Sequence, residues 1–393
     1  MSEQSLKGKL IPHRIAVIGA SYLQLPLVKK AKEMNLEVYC FAWEDGAVCK
    51  DVADVFYPVS IVEKEQILKI CQEKQIDGIC TIASDVAAPT VAFVAEKMGL
   101  VGNTYEVAVR ANNKFLMRNA LSKAGIPCPG YRVVTSMTEV SSDYSFPIIV
   151  KPTDRSGSLG ITKVEIQADL RLAVENALNC SFKHEAIIEE FIEGREISVE
   201  FISYQGKHYP LQITDKVTTG APHFVELEHH QPAELTSYQY AEIYDLTQKA
   251  LNALGVTNGA SHSEYKITND GRLYVMEIGA RMGGDFIGSD LVRLSTGYDY
   301  LKGVIDVALG SFTEPVFGER HYAGIYFLCD ETCNLLPIIK SGSIPGVVRA
   351  ELSDERLRNV TCSADRSGYF LYIFDTKTEL LSIMLKIRDL NGG

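Results

Sequence analysis

No apolar run in the 393 residues reaches the roughly 18 that a membrane helix needs. The opening MSEQSLKGKLIPHR lacks the apolar core of a secretory signal, and the two absences together point to a cytoplasmic protein. Basic residues do not predominate. Lys and Arg number 39 against 50 Asp and Glu, and the net charge of −11 argues against nucleic acid or an anionic membrane as partner. Cysteine pairing is missing too: nine scattered cysteines, an odd number, fit a reducing compartment better than a disulfide framework. Cys329 and Cys333 stand at C-x3-C with no second pair, so idle thiols outweigh a zinc site. The loop G-x-x-x-x-G-K-[ST] occurs nowhere. The first turn, Gly19-Ala20-Ser21-Tyr22-Leu23-Gln24, lacks the second and third glycines of G-x-G-x-x-G, which tells against NAD and leaves a structural or substrate-side role. No solenoid repeat or low-complexity segment is present.

What remains is ordered alternation. RIAVIGAS, LEVYCFAW and IDGICTIA read as buried strands, and helical spacing follows each of them. Such alternation over residues 1–111 implies a doubly wound parallel sheet. Residues 112–187 open with a helix, NNKFLMRNALSKAG, and continue as strand, Ser/Gly loop, strand and helix. Residues 188–312 hold longer strands and a hairpin. From 313 to 393 the chain turns β-rich and ends in a helix, a closing α+β piece. The expected fold is therefore α/β and α+β, in four parts.

The stretch HSEYKITNDGRLYVMEIGAR (262–281) carries the sharpest signal. Asp270-Gly271 suits a two-residue type I′ turn, because both positions need φ > 0. Asn269 would then pair with Arg272, and Glu264 with Glu277. Directly opposed side chains have Cβ atoms about 4.5–5.5 Å apart, and like charges there are destabilising. A shared proton or a bound cation would relieve them, and hard carboxylate oxygens suit Mg²⁺ beside phosphate. A solvated face neutralised by Lys266 is the other reading. Upstream, KPTDRSGSLG places Lys151 before a loop with Ser156, Gly157, Ser158 and Gly160, whose small residues let backbone N–H groups close around phosphate. A Ser/Gly loop of this kind is, by itself, more often only a loop. In IIEEFIEGREISVEF the apolar residues suit the wall of an aromatic-base pocket, with backbone groups of 190–192 at the base edge and Glu196 at ribose hydroxyls. A charged edge strand fits the same acids.

In this order these pieces resemble the ATP-grasp superfamily over roughly residues 14–310. The resemblance implies ATP and Mg²⁺, with Mn²⁺ as a substitute. Lys114 and Lys151 would hold phosphates, and the 155–160 loop would close over the γ-phosphate. Glu189 would face the adenine amine, with Glu190, Phe191 and Ile192 as the hinge and Glu196 at the ribose. Glu264 and Glu277 would bind the metal, and Arg281 would act as the catalytic residue that stabilises the acyl phosphate and the oxyanion. The chain departs from the family pattern at Gly279, where a metal-binding Asn is usual, and this bears on the metal count. EIGARMGGD, with Gly284, and the F-x-E-x-x-H stretch Phe224, Glu226 and His229 resemble the branch containing L-amino-acid ligases. There Glu226 would meet an ammonium group, while a polar surface loop fits the histidines equally well. The implied activity joins a carboxylate to an amine through an acyl phosphate. The implied partners are small molecules, with a homodimer as the usual state of such folds. A bicarbonate-using ligase and a non-catalytic nucleotide-binding module are the alternatives.

Overall fold

The computed structural model describes residues 12–155, 159–341 and 345–389. The chain begins with β1 (Arg14–Ile18), α1 (Leu25–Glu33), β2 (Glu37–Phe41), β3 (Val55–Tyr57), α2 (Lys64–Lys74), β4 (Gly78–Cys80) and α3 (Ala88–Met98). The four strands are parallel, in the order β3-β2-β1-β4. β1 is apolar on both faces because both are covered, as parallel strands require. Ile15 and Val17 enter one core, and Ala16 and Ile18 the other. The strand order reverses between β1 and β4, and the crevice at their carboxyl ends is where such sheets bind ligands. The buried Gln24 amide donates to the Ile82 carbonyl at 2.7 Å and accepts from the Ser21 hydroxyl at 2.8 Å.

Next come α4 (Tyr105–Asn112) and α5 (Lys114–Lys123), separated at Asn113, whose side chain caps α5 through the Leu116 N–H at 3.0 Å. β5 (Tyr131–Val134), β6 (Ile148–Pro152), β7 (Thr162–Val164), α6 (Gln167–Cys180) and β8 (Ala186–Glu190) follow. These strands form an antiparallel sheet in the order β5-β8-β6-β7, packed on α6. All of β8 lies in this sheet, so the change of sheet falls after Glu190 rather than at the expected 187/188 boundary.

The remaining elements are β9 (Arg195–Tyr204), β10 (Lys207–Thr218), β11 (Glu226–Gln231), α7 (Ser237–Leu254), β12 (Gly259–Ile267), β13 (Leu273–Gly279), α8 (Val292–Thr296), α9 (Tyr300–Ala308), β14 (Tyr322–Leu328), α10 (Leu336–Ser341), β15 (Val347–Leu352), β16 (Gly368–Phe374) and α11 (Lys377–Asp389). Their eight strands make one sheet, β13-β12-β9-β10-β11-β14-β16-β15. The closing piece expected over 313–393 is thus a continuation of this sheet, because β14 pairs directly with β11. α9 packs with α1 on the N-terminal parallel sheet and joins the two parts through one core. No helix among the described residues is long and apolar enough to cross a membrane.

Candidate active site

Glu264 and Glu277 do stand opposite each other, but by a different route from the one expected. The turn has three residues, 269–271: Thr268 N–H donates to Arg272 at 3.0 Å, and Gly271, at φ +83°, donates back to Thr268 at 2.8 Å. This is a type I turn closed by a left-handed glycine, not a type I′ turn. Tyr265 therefore faces Val275, and a bulge at Met276 restores the register before Glu264 meets Glu277. The bulge is used, since the Met276 carbonyl accepts from Arg118 at 2.6 Å.

Lysines relieve the two acids, but Lys266 is not among them. Lys266 pairs with Glu196 at 3.1 Å. Glu264 takes Lys216 at 2.5 Å, and Glu277 takes Lys114 at 3.3 Å. Against the penalty of burial, Lys216 and His262 hold the Glu264 carboxyl well below the usual range. Lys114 begins α5, and its Nζ also donates to the Arg155 carbonyl at 2.7 Å. One turn on, Arg118 shares its face. That spacing was the signal for Arg118, which the motif reading passed over.

Glu189 borders the cavity between the two sheets, and its carboxylate is buried between Arg118 and Lys151, each at 2.7 Å, an ionic group that the motif reading did not foresee. Burial alone would raise its pKa, but the two cations hold it below the ordinary value. Burial likewise lowers the Lys151 pKa, with Glu189 opposing. Glu190 is exposed, and its N–H is taken by the Gly130 carbonyl at 2.9 Å, so it is not a free hinge donor. Ile192 is buried, and the Phe191 ring carries Lys163 at 4.3 Å and Lys266 at 5.4 Å. Ser156, Gly157 and Ser158 lie outside the described residues. Gly160 serves packing: at φ +74°, a Cβ there would meet Cys180 Cβ at 2.9 Å and Pro152 Cγ at 3.0 Å.

Two cavities meet at the acid pair. The first lies between the two sheets and is lined by Ile149, Lys151, Phe191, Ile192 and Glu196 among others. The second reaches the crevice of the N-terminal sheet through Tyr22, Ala83 and Asp85. Glu264, Glu277, Lys216 and Glu226 line both. Polar strand ends and turns thus surround a junction of two acids and several cations.

Arg281 lies in the second chamber with its guanidinium held by Asp85, Nε at 2.8 Å and Nη2 at 2.7 Å. Burial opposes both charges, yet the pairing holds Asp85 below its ordinary pKa and Arg281 above. This pair accounts for Gly279, where a Cβ would fall 3.1 Å from both the Arg281 guanidinium carbon and Asp85 Oδ1. The volume that an Asn would occupy is filled, so position 279 adds no ligand.

The far wall joins three parts of the chain. Glu226 accepts from Ser363 at 3.3 Å, and Arg366 grips Asp285 with both arms, at 2.9 and 2.8 Å. Asp285 and Phe286 hold φ of +48° and +64°, strained for non-glycine residues. Gly284 lines the chamber, and a Cβ there would fall 3.3 Å from Ala83 Cβ. His229 is fully buried on β11 against Phe327, not on a surface loop, and burial pushes its pKa well down. His230 points to the opposite face, toward Tyr372 and Glu228, and His223 is exposed, so the three histidines do not converge. His262 bridges Glu200 and Glu264. Both partners are acceptors, so both ring nitrogens carry hydrogen. Burial opposes that charge, but the acids raise the His262 pKa to about 9.

The donor set fits a hard divalent ion beside phosphate. Two carboxylates, each about one-third exposed at 34% and 31%, face the junction. Among the described residues no group of three or more His, Cys, Asp or Glu could hold an ion alone. Phosphate oxygens and water would complete the shell, which suits Mg²⁺. All nine cysteines are free.

Residues 144–290 match the family model of the ATP-grasp domain. Alanine–anticapsin ligase of Bacillus subtilis (strain 168) is 29% identical over 245 residues, 56% of this chain and 51% of that protein. The structure of an L-amino acid ligase from Bacillus licheniformis matches with a TM-score of 0.80 at 23% identity, over 96% of this chain and 97% of that one. Phosphoribosylglycinamide synthetase from Anaerococcus prevotii matches with a TM-score of 0.76 at 20% identity, over 96% and 98%. The structural likenesses show a shared fold. The chain spans about half the length of the curated relatives it matches.

Proposed function

Because the chain carries an ATP-grasp domain, we propose that it is an ATP-dependent ligase joining a carboxylate, that of an amino acid, to an amine. The observation that carries this reading is the acid pair Glu264–Glu277 at the meeting point of two chambers, with Lys114 and Lys216 at its flanks. A nucleotide fits the first chamber, its base along Ile149, Phe191 and Ile192 and its ribose toward Glu196. The carboxylate and the amine fit the second. A divalent ion held by Glu264 and Glu277 would neutralise charge on the phosphates.

The carboxylate is a poor electrophile until its oxygen takes the γ-phosphoryl group, which leaves ADP and an acyl phosphate. Lys114 and Lys151 offset the charge of the phosphates during that transfer. Arg281 orients the carboxylate and then holds the oxygen that becomes anionic when the amine attacks. The C–N bond forms, the C–O bond to phosphate breaks, and the amine loses a proton. Glu226, weakly paired with Lys216 at 3.7 Å, is suited to the ammonium group of an amino acid. Water must be kept from the intermediate, which it would otherwise hydrolyse.

The test is ADP release across pairs of amino acids and other small carboxylates and amines, with mass spectrometry of any product. Release that needs both an acid and an amine is the expected result. Release with bicarbonate as the sole carboxylate would move the chain to the carboxylating ligases, and no release with any pair would leave a binding module. The free, scattered cysteines support a cytoplasmic setting. Sedimentation would test the homodimer.

A further inference from the structure

Glu200 and His262 have no part in the chemistry above, yet both are buried, at 0% and 7% exposure. A buried acid and imidazole are costly unless each is fully partnered. Here their partners lie at two different places in the site. One Glu200 oxygen takes the Nδ1 hydrogen of His262, and the other accepts the Gly283 N–H at 3.3 Å. His262 Nε2 reaches Glu264 Oε1 at 3.3 Å. A continuous chain thus runs from the loop after Arg281, through Glu200 and His262, to one member of the acid pair.

The sheet itself fixes this chain. His262 and Glu264 are two residues apart on β12 and so share a face, and Glu200 stands opposite His262 on β9. The loop is held close as well: a Cβ on Gly283 would fall 2.7 Å from His262 Nδ1 and 3.0 Å from Glu200 Oε1. The other partner of Glu264 is Lys216, which lines both chambers and so faces any phosphate that enters. His262 is engaged on both nitrogens by carboxylates.

We propose that Glu200 and His262 are positioning residues that fix the Glu264 carboxylate for the metal-bound nucleotide and tie it to the loop bordering the second chamber. His262 stays with Glu264 when phosphate draws Lys216 away, and Glu200 keeps the imidazole in place. The inference rests on the reading of Glu264 as a cation ligand.

Binding of Mn²⁺ in the presence of ADP, followed by loss of the free-ion EPR signal, tests it without turnover. His262→Gln and Glu200→Gln should each weaken Mn²⁺ binding about 10–100-fold, the usual effect of removing a partner of a metal ligand. Glu200→Gln should also raise the KM of the amine or carboxylate substrate more than His262→Gln does, because it alone loses the Gly283 contact. Melting curves identify the folded variants, and if one variant does not fold the other serves. A folded variant that binds Mn²⁺ with ADP as tightly as the unaltered chain overturns the inference and leaves the ligase reading standing. If the unaltered chain binds no Mn²⁺ with ADP, the metal reading itself falls, and the inference with it.

Discussion

Asp85 holds two nitrogens of the Arg281 guanidinium from 196 residues away, across the boundary between the N-terminal parallel sheet and the large sheet. The planar fork of arginine matches a carboxylate in a way that lysine cannot. Arg281→Lys should therefore lower kcat for ADP release by about 100- to 1000-fold, the usual loss when an oxyanion partner is removed. Asp85→Asn should cost less, up to about 100-fold, because Arg281 remains but is no longer aimed. Steady-state kinetics on both variants check the order. Equal losses, or a larger loss for Asp85→Asn, would contradict it.

A ligand that binds only the folded chain raises its stability. Mg²⁺ and ATP at about 100 times the dissociation constant should add about 2.7 kcal/mol. Differential scanning calorimetry should show the gain vanish with excess EDTA. The gain should also be much reduced in Glu277→Gln, which lacks one of the two carboxylates at the junction.

Glu189 joins Arg118 and Lys151 under the small sheet. Its removal strands two buried cations. Glu189→Ala should cost about 3–5 kcal/mol, the loss typical when one member of a buried ionic group is deleted. Urea unfolding at neutral pH measures it.

Glu226 makes the pH-dependent case. Burial raises its pKa, Lys216 opposes, and Asp285 and Glu264 add to the rise. A carboxyl group with a raised folded pKa binds its proton more tightly when folded. It therefore destabilises the fold as pH climbs above the unfolded value of about 4.3, and the penalty fades as pH falls. Glu226→Gln should raise the melting temperature near pH 7 and bring no gain near pH 4. A site that gains stability when its acid is neutralised is one kept for binding, so amine-dependent ADP release should fall in the same variant.

The site is legible in the chain to the extent that its residues come from short local patterns. The Asp270-Gly271 signal located the hairpin and its two acids, although the three-residue turn and the bulge at Met276 each shift the register, and only their cancellation keeps the pair. Lys114 and Lys151 could be placed by their position at element ends. Asp85, Lys216, Glu200 and Arg366 could not, because their partners lie far along the chain and no local spacing encodes them. The pairing of Glu189 with Arg118 and Lys151 was hidden for a related reason, since strand pairing and not local spacing brings the three together. Gly279 seemed a missing ligand, but its significance is steric and emerges only when the Arg281–Asp85 pair is seen filling the space.

The pairing of β14 with β11 has a consequence for any attempt to shorten the chain. Cutting after residue 312 would strip β11 of its neighbour and leave a row of unsatisfied N–H and C=O groups beside Glu226. Bare edges of that kind recruit other molecules, so the product would be expected to aggregate rather than to persist as a smaller folded protein. The described residues after 312 are a protective hem on the large sheet, and they also supply Ser363 and Arg366 to its pocket.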